Sequence, residues 1–159
     1  MKTLWAPWRM EYIVSEKDKG CLFCEKPREK KDRDNLILYR GENTYIIMNK
    51  YPYNNGHVMA VPYLHTPSFE GLSKEILNEL IDITKYSVDC IKNVYSPEGF
   101  NIGINIGEAA GAGVEEHIHI HIVPRWVGDS SFMTILGEAR VIPEHILDTY
   151  DRFYPVFNS

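Results

Sequence analysis

Residues 115–126 read EEHIHIHIVPRW, and within them His117, His119 and His121 alternate with Ile118, Ile120 and Ile122. Strict alternation is the signature of a strand with two different faces. Successive side chains point to opposite sides, and residues two apart lie about 6.6–7 Å from each other on one side. The three imidazoles therefore line up together on the outward face while the isoleucines enter the core. The same pattern fixes register, because a slip of one residue would bury all three histidines. A lone outward histidine is usually a solvated strand residue. Three in succession beside a glycine-rich loop, holding half of the chain's six histidines, ask for chemistry.

The rest of the chain supplies a sheet for that strand to join. Runs LILYR (36–40), TYIIM (44–48) and HVMAVP (57–62) are strand-like, and GEN and NKYPYNNG between them carry turn residues. Such short connections predict antiparallel pairing. From Ser73 to Tyr95 the positions Ile76, Leu77, Leu80, Ile81, Ser87 or Val88, Ile91 and Val94 recur at helical spacing, and SPEG (96–99) ends the pattern. FNIGINI (100–106) puts Phe100, Ile102, Ile104 and Ile106 on one strand face. GEAAGAGVEE (107–116) is a Gly/Ala loop leading into the histidine strand. After Pro124 come a possible strand FMTIL (132–136) and a short C-terminal helix that Pro143 is placed to start. The expected fold is α+β, an antiparallel sheet of about five strands with one long helix and a short C-terminal helix. All 159 residues form a single domain, with an aromatic arm over 1–20 (Trp5, Trp8, Tyr12), a CxxC turn at 21–24 and a C-terminal extension over 124–159.

A formal charge of −5 argues against a broad basic surface for nucleic acid. A phosphate ligand would need a built site of backbone amides and a few side chains. No segment approaches the roughly 20 apolar residues of a membrane span, and the N-terminus lacks the apolar run of a signal peptide, so a cytoplasmic protein is expected. Three cysteines are present, Cys21 and Cys24 in GCLFCEK and Cys90 alone. A redox pair is one reading of the first two, although no thioredoxin-like βαβ pattern surrounds them; an empty thiol pair or iron are others. A zinc half-site is the reading the turn favours, since CxxC is well shaped to give two thiolates to one ion, which then needs two more ligands. Cys90 reads as core and His145 as surface.

Two chemistries compete for the histidine face. An HxH pair can chelate zinc and generate a bound hydroxide, but needs a third ligand, and Glu115 and Glu116 cannot both point at one metal. Alternatively one neutral imidazole is a nucleophile flanked by two that orient substrate, and a phosphoanhydride would be a fitting electrophile.

HIHIHIV resembles the signature of the histidine triad superfamily. NKYPYNNGHVMAVP resembles the family's earlier strand–turn–strand with its Gly-His pair, and NIGEAAGAGVEEH its Asn-plus-glycine loop. The start WAPWRMEYI and the tail PRWVGDSSFMTILGEARVIPEHILDTY are similar to the bacterial branch of diadenosine tetraphosphate phosphorylases. The resemblance implies that His119 attacks the α-phosphorus of a nucleotide and becomes transiently nucleotidylated. His121 and the amides of Gly111, Ala112, Gly113 and Val114 would stabilise charge on the phosphoryl oxygens, and His57 would support the nucleophile's ring from behind. Asn49 matches a ribose-binding position and Asn105 a phosphate-contacting one; the plain reading of each is a turn or strand-end residue bonding its own backbone. The loop departs from the commonest family pattern, which carries a Gln where Ala112 or Gly113 stands here. Trp126, Ser130, Ser131 and Phe132 would wall the acceptor pocket, with Ser131 where the phosphorylase-like tail has Asn. In superfamily members with an N-terminal CxxC, two histidines complete a structural zinc site; the matching set is Cys21, Cys24, His65 and His117. The implied reaction is phosphorolysis of diadenosine tetraphosphate to ADP and ATP by a homodimer, with inorganic phosphate as partner and no organic cofactor. A hydrolase using water and a non-catalytic nucleotide-binding regulator are the alternatives.

Overall fold

The structure, a computed structural model, describes residues 20–130 and 142–159. The aromatic arm, the run FMTIL, Ser131 and Phe132 lie outside the described residues. Five strands, β1 (Ile37–Arg40), β2 (Thr44–Met48), β3 (Val58–Pro62), β4 (Gly99–Gly103) and β5 (Ile120–Arg125), form one antiparallel sheet in the order β1-β2-β3-β5-β4. The short connections between β1, β2 and β3 do make neighbours of those strands, with Thr44 opposite Pro62 and Met48 opposite Val58. A helix-length connection separates β3 from β4, and the chain then returns through the Gly/Ala loop to insert β5 between them.

That inserted helix, α2 (Lys74–Tyr95), follows the short turn α1 (Leu22–Glu25) of the CxxC segment. The Ser73 hydroxyl caps α2 by accepting from the Ile76 N–H at 3.3 Å, one of the orphan amides of a first turn. Its buried stripe runs through Leu80, Ile83, Thr84, Ser87, Cys90 and Ile91, so Cys90 is a core residue. Ile81, counted above among the apolar face, is 60% exposed, because it sits about 100° around the helix from Leu80.

The C-terminal helix α3 (Ile146–Phe157) begins three residues later than Pro143 led one to expect. His145 takes the cap position, its exposed side chain accepting from the Leu147 N–H. Tyr150 and Tyr86 tie this helix down, their hydroxyls donating to the carbonyls of Ile37 and Phe157 at 2.9 Å each. Phe153 and Phe157 are fully buried, each stabilising the packing by about 1.5–3 kcal/mol. No helix among the described residues is long and apolar enough to cross a membrane.

Two strands end elsewhere than the alternation indicated. FNIGINI is strand only through Gly103, and Ile102 and Ile106 are about half exposed, because β4 is the sheet's edge and its outer side is uncovered. The ladder of β5 starts at Ile120, so His117 to His119 lie ahead of it, with the Ile118 N–H donating to Thr66 O. Every residue of β2 and β3 is buried. Both faces of the sheet centre are therefore covered, and the histidine face with them: His117 and His119 are 0% and 4% exposed, not outward-facing as their alternation implied.

Candidate active site

Register places the site. Met59 pairs with His121, and His121 with Gly103, so these three share one face of the sheet. His57, two residues before Met59, falls on that face. So does Asn49, because Ile47 pairs with Met59. The turn NNG delivers His57: Gly56 adopts φ +76°, which L side chains avoid, and a Cβ there would come within 3.1 Å of Phe153.

Each triad histidine has a different partner, and the partners decide the protons. A carbonyl oxygen only accepts, so His119 Nδ1, 2.9 Å from His117 O, carries the hydrogen, and the lone pair of the neutral ring lies on Nε2. For the same reason His117 donates from Nε2 to Pro62 O at 2.7 Å and keeps its lone pair on Nδ1. The Tyr53 N–H donates to His57 Nδ1 at 3.1 Å, so His57 donates from Nε2 to His121 Nδ1, 2.9 Å away. His121 in turn presents its own Nε2–H. Burial holds the pKa of all three triad rings below the ordinary histidine value, and that of His121 falls to about 4. The resemblance implied that His57 supports the ring of His119; the hydrogen bond seen here is to His121.

His117 looks away from the other two. Its Nδ1 lies 3.3 Å from Cys21 Sγ and 3.6 Å from Cys24 Sγ, and His65 Nδ1 lies 3.4 Å from Cys24 Sγ. The four donor atoms all fall within 4.8 Å of one another. Cys21, Cys24, His65 and His117 could hold a metal ion, and the donor set fits one: two sulfurs and two imidazoles suit a tetrahedral site, and Pro62 O fixes the tautomer that a ligating Nδ1 requires. Burial and the neighbouring Cys21 raise the Cys24 thiol, which a cation would reverse. His119 and His121 take no part in this cluster.

The Gly/Ala loop is laid out less simply than its glycines indicated. Gly107 and Gly111 are both at φ +79°. The N–H groups of Ala110 and Ala112 donate to Gly107 O and that of Gly111 to Glu108 O. Two of the expected phosphate donors, Gly111 and Ala112, are thus engaged in closing a turn. Val114 packs half-buried on the core, Gly113 is exposed and Asn105 half-buried at the loop's entry. Asn49 Oδ1 accepts from the Tyr51 N–H at 2.9 Å, the turn contact its type favours. A cavity of ≈ 470 Å³ opens beside it, lined among others by Asn49, Asn55, His57, Glu144 and Thr149. Trp126 and Ser130 belong to the turn after β5.

Sequence reasoning missed the residues that brace the site. Asp129 accepts from Arg125 Nε at 2.6 Å and from Asn54 Nδ2 at 2.8 Å, joining β5 to the turn before His57. The Arg125 hydrogen bonds hold the Asp129 carboxyl well below the usual carboxylate range. Phe23, between the two cysteines, places its ring 4.9 Å from that of His119. An apolar residue inside a CxxC turn was the one available signal for it.

Residues 30–127 match the HIT domain family. The chain is 40% identical over 158 residues to AP-4-A phosphorylase from Mycobacterium tuberculosis, covering 94% of this chain and 80% of that protein. It is 33% identical over 95 residues to an asymmetrical bis(5'-nucleosyl)-tetraphosphatase from Schizosaccharomyces pombe, 60% of this chain and 52% of that one. Among solved structures, a zinc-bound histidine triad family protein from Mycobacterium smegmatis superposes with a TM-score of 0.70 at 25% identity, covering 87% of this chain and 94% of that chain. The HIT domain match spans 98 of the 159 residues and includes the whole histidine run, and this chain belongs to the HIT domain family.

Proposed function

We propose that the chain is a nucleotidyl transferase that cleaves diadenosine tetraphosphate by phosphorolysis, with His119 as nucleophile. The observation that carries this reading is the 2.9 Å contact of His119 Nδ1 with the His117 carbonyl, an acceptor that places the ring proton on Nδ1. Nε2 attacks the α-phosphorus without first losing a proton; the N–P bond forms, the α–β P–O bond breaks, and ATP leaves with the electron pair. The imidazolium so formed keeps its Nδ1–H bond to the carbonyl. His121 donates from Nε2 to a phosphoryl oxygen, with its orientation set by His57. An oxygen of inorganic phosphate then attacks the same phosphorus, breaks the N–P bond and releases ADP and neutral His119. Asn49 and Asn105 bind ribose and phosphate, and the loop from Gly111 through Ala112 and Gly113 to Val114 re-forms around the polyphosphate.

Zinc held by Cys21, Cys24, His65 and His117 supplies structure: it ties the segment before β1 to the catalytic strand. The donor set and the zinc-bound relative support this. The exposed Ile102 on edge strand β4 supports a homodimer, and three unpaired cysteines accord with a cytoplasmic setting. The relative named as a tetraphosphatase favours a second reading, in which water is the acceptor.

Incubating the protein with diadenosine tetraphosphate, with and without phosphate, decides between them. ADP plus ATP appearing only with phosphate is the expected result; AMP plus ATP without it establishes hydrolysis. His119→Ala is expected to lose at least about a thousandfold in kcat, and full turnover in that variant overturns both readings.

A further inference from the structure

We propose that Phe23 is a positioning residue that transmits the state of the cysteine–histidine metal cluster to the nucleophile His119. The inference rests on the assignment of His119 above and on a metal in the cluster.

Phe23 occupies the third position of Cys21-Leu22-Phe23-Cys24, so a ligand that fixes both sulfurs fixes the backbone carrying this ring. The side chain is 2% exposed. Its ring meets His117 edge-on at 5.5 Å and 66°, and lies tilted on His119 at 4.9 Å and 49°. Its carbonyl accepts from the Tyr45 hydroxyl at 2.7 Å, and Tyr45 is fully buried on β2. The turn is closed by the Cys24 and Glu25 amides on Cys21 O. Phe23 is therefore held from below by the sheet and from both sides by the sulfurs.

On His119 the constraint has a chemical meaning. One hydrogen bond, from Nδ1 to His117 O, sets which nitrogen is protonated, but a single bond leaves the ring free to tilt about it. Edge contact with the His121 ring at 4.7 Å bounds one side. Phe23 bounds another and keeps water from that part of the ring. Freed of Phe23, the imidazole exchanges its carbonyl bond for solvent, populates the other tautomer and carries its lone pair on the wrong nitrogen. Two contacts thus reach the nucleophile from the metal cluster, the carbonyl of the ligand His117 and the ring of Phe23.

The test uses the full chain supplied with zinc, comparing the native protein with Phe23→Ala and Phe23→Leu. Bound zinc per chain, the ¹⁵N shifts of the His119 ring and steady-state kinetics on diadenosine tetraphosphate are read together. Zinc content is expected to be unchanged, and the single Nδ1–H tautomer of the native chain is expected to become a mixture in Phe23→Ala. In that variant kcat falls about ten- to hundredfold with KM nearly constant, as misplacement of a reacting group does. Phe23→Leu, which restores most of the volume, recovers most of the rate. Chelating the native chain reproduces the Phe23→Ala spectrum, and decides alone if that variant does not fold. An unchanged tautomer after chelation or in Phe23→Ala overturns the proposal. A raised KM with kcat preserved also overturns it, since that makes the ring a substrate wall, as does a native chain that takes up no zinc. Because zinc content and tautomer are read without substrate, they stand apart from full turnover in His119→Ala, which would remove the nucleophile assignment instead.

Discussion

Three identical side chains in one alternating run are distinguished by what each finds within hydrogen-bonding reach. His119 finds a carbonyl, His121 finds an imidazole N–H, and His117 finds a carbonyl on one nitrogen and thiols near the other. The chain from the Tyr53 amide through His57 to His121 makes a non-additive prediction. His121→Ala is expected to lower kcat about a hundredfold or more, as loss of one transition-state donor does. His57→Ala, which leaves the donor but not its orientation, should cost about tenfold, and the double variant no more than His121→Ala alone. Losses that simply multiply in the steady-state rates would show that His57 acts elsewhere. The spacing of the triad made its shared face legible. The tautomers were not legible, because they depend on Pro62, 55 residues away in sequence, and on a backbone amide at Tyr53 that carries no side-chain signal.

Between elements, the β1–β2 turn and helix α2 are joined by one carboxylate. Glu79 accepts from the Asn43 amide and side chain, the Thr44 amide and the Thr44 hydroxyl, at 2.7–3.2 Å. Burial raises its pKa, but these donors more than offset that and hold it below the ordinary value. Glu79→Ala would leave several half-buried donors without their acceptor, and is expected to cost about 2–3 kcal/mol in denaturant unfolding. Glu79→Gln, which keeps an acceptor oxygen, should cost less; equal losses in the two variants would mean that the charge, not the acceptor, holds the turn. The strands of the first three runs were legible to within a residue, because turn residues bracket them. The ends of β4 and β5 were not. FNIGINI keeps its alternation past Gly103, where the ladder has already ended at the sheet edge, and the histidine run keeps its alternation before Ile120, where the partner is Thr66 O instead of a strand. His145 displaced Pro143 as the start of α3 because a histidine side chain can accept from the N2 amide, a capping role its residue type seldom announces.

At the scale of the whole molecule, the sheet is covered on both faces, and the side chains buried by the second cover are titratable. Helices α2 and α3 pack on one side; Phe23 and the CxxC turn close over His117 and His119 on the other. The cost of burying imidazoles appears as a pH dependence whose sign follows from their depressed pKa values. Above the ordinary histidine value of 6.5 the rings are neutral in both folded and unfolded chains and contribute no difference. As pH falls below 6.5, the unfolded chain takes up protons that the folded one refuses, down to about 4 for His121. Each such group lowers stability by up to about 1.4 kcal/mol per pH unit in that window, with less from His121, which is partly exposed. Thermal unfolding is therefore expected to shift to lower temperature steadily as pH falls below 6.5, and His121→Asn should flatten the slope. A Tm independent of pH across that range would contradict neutral burial. Catalysis by the proposed nucleophile should follow a different curve: burial keeps His119 neutral in the folded chain, so the acid limb of kcat is expected to lie at lower pH than the first loss of stability.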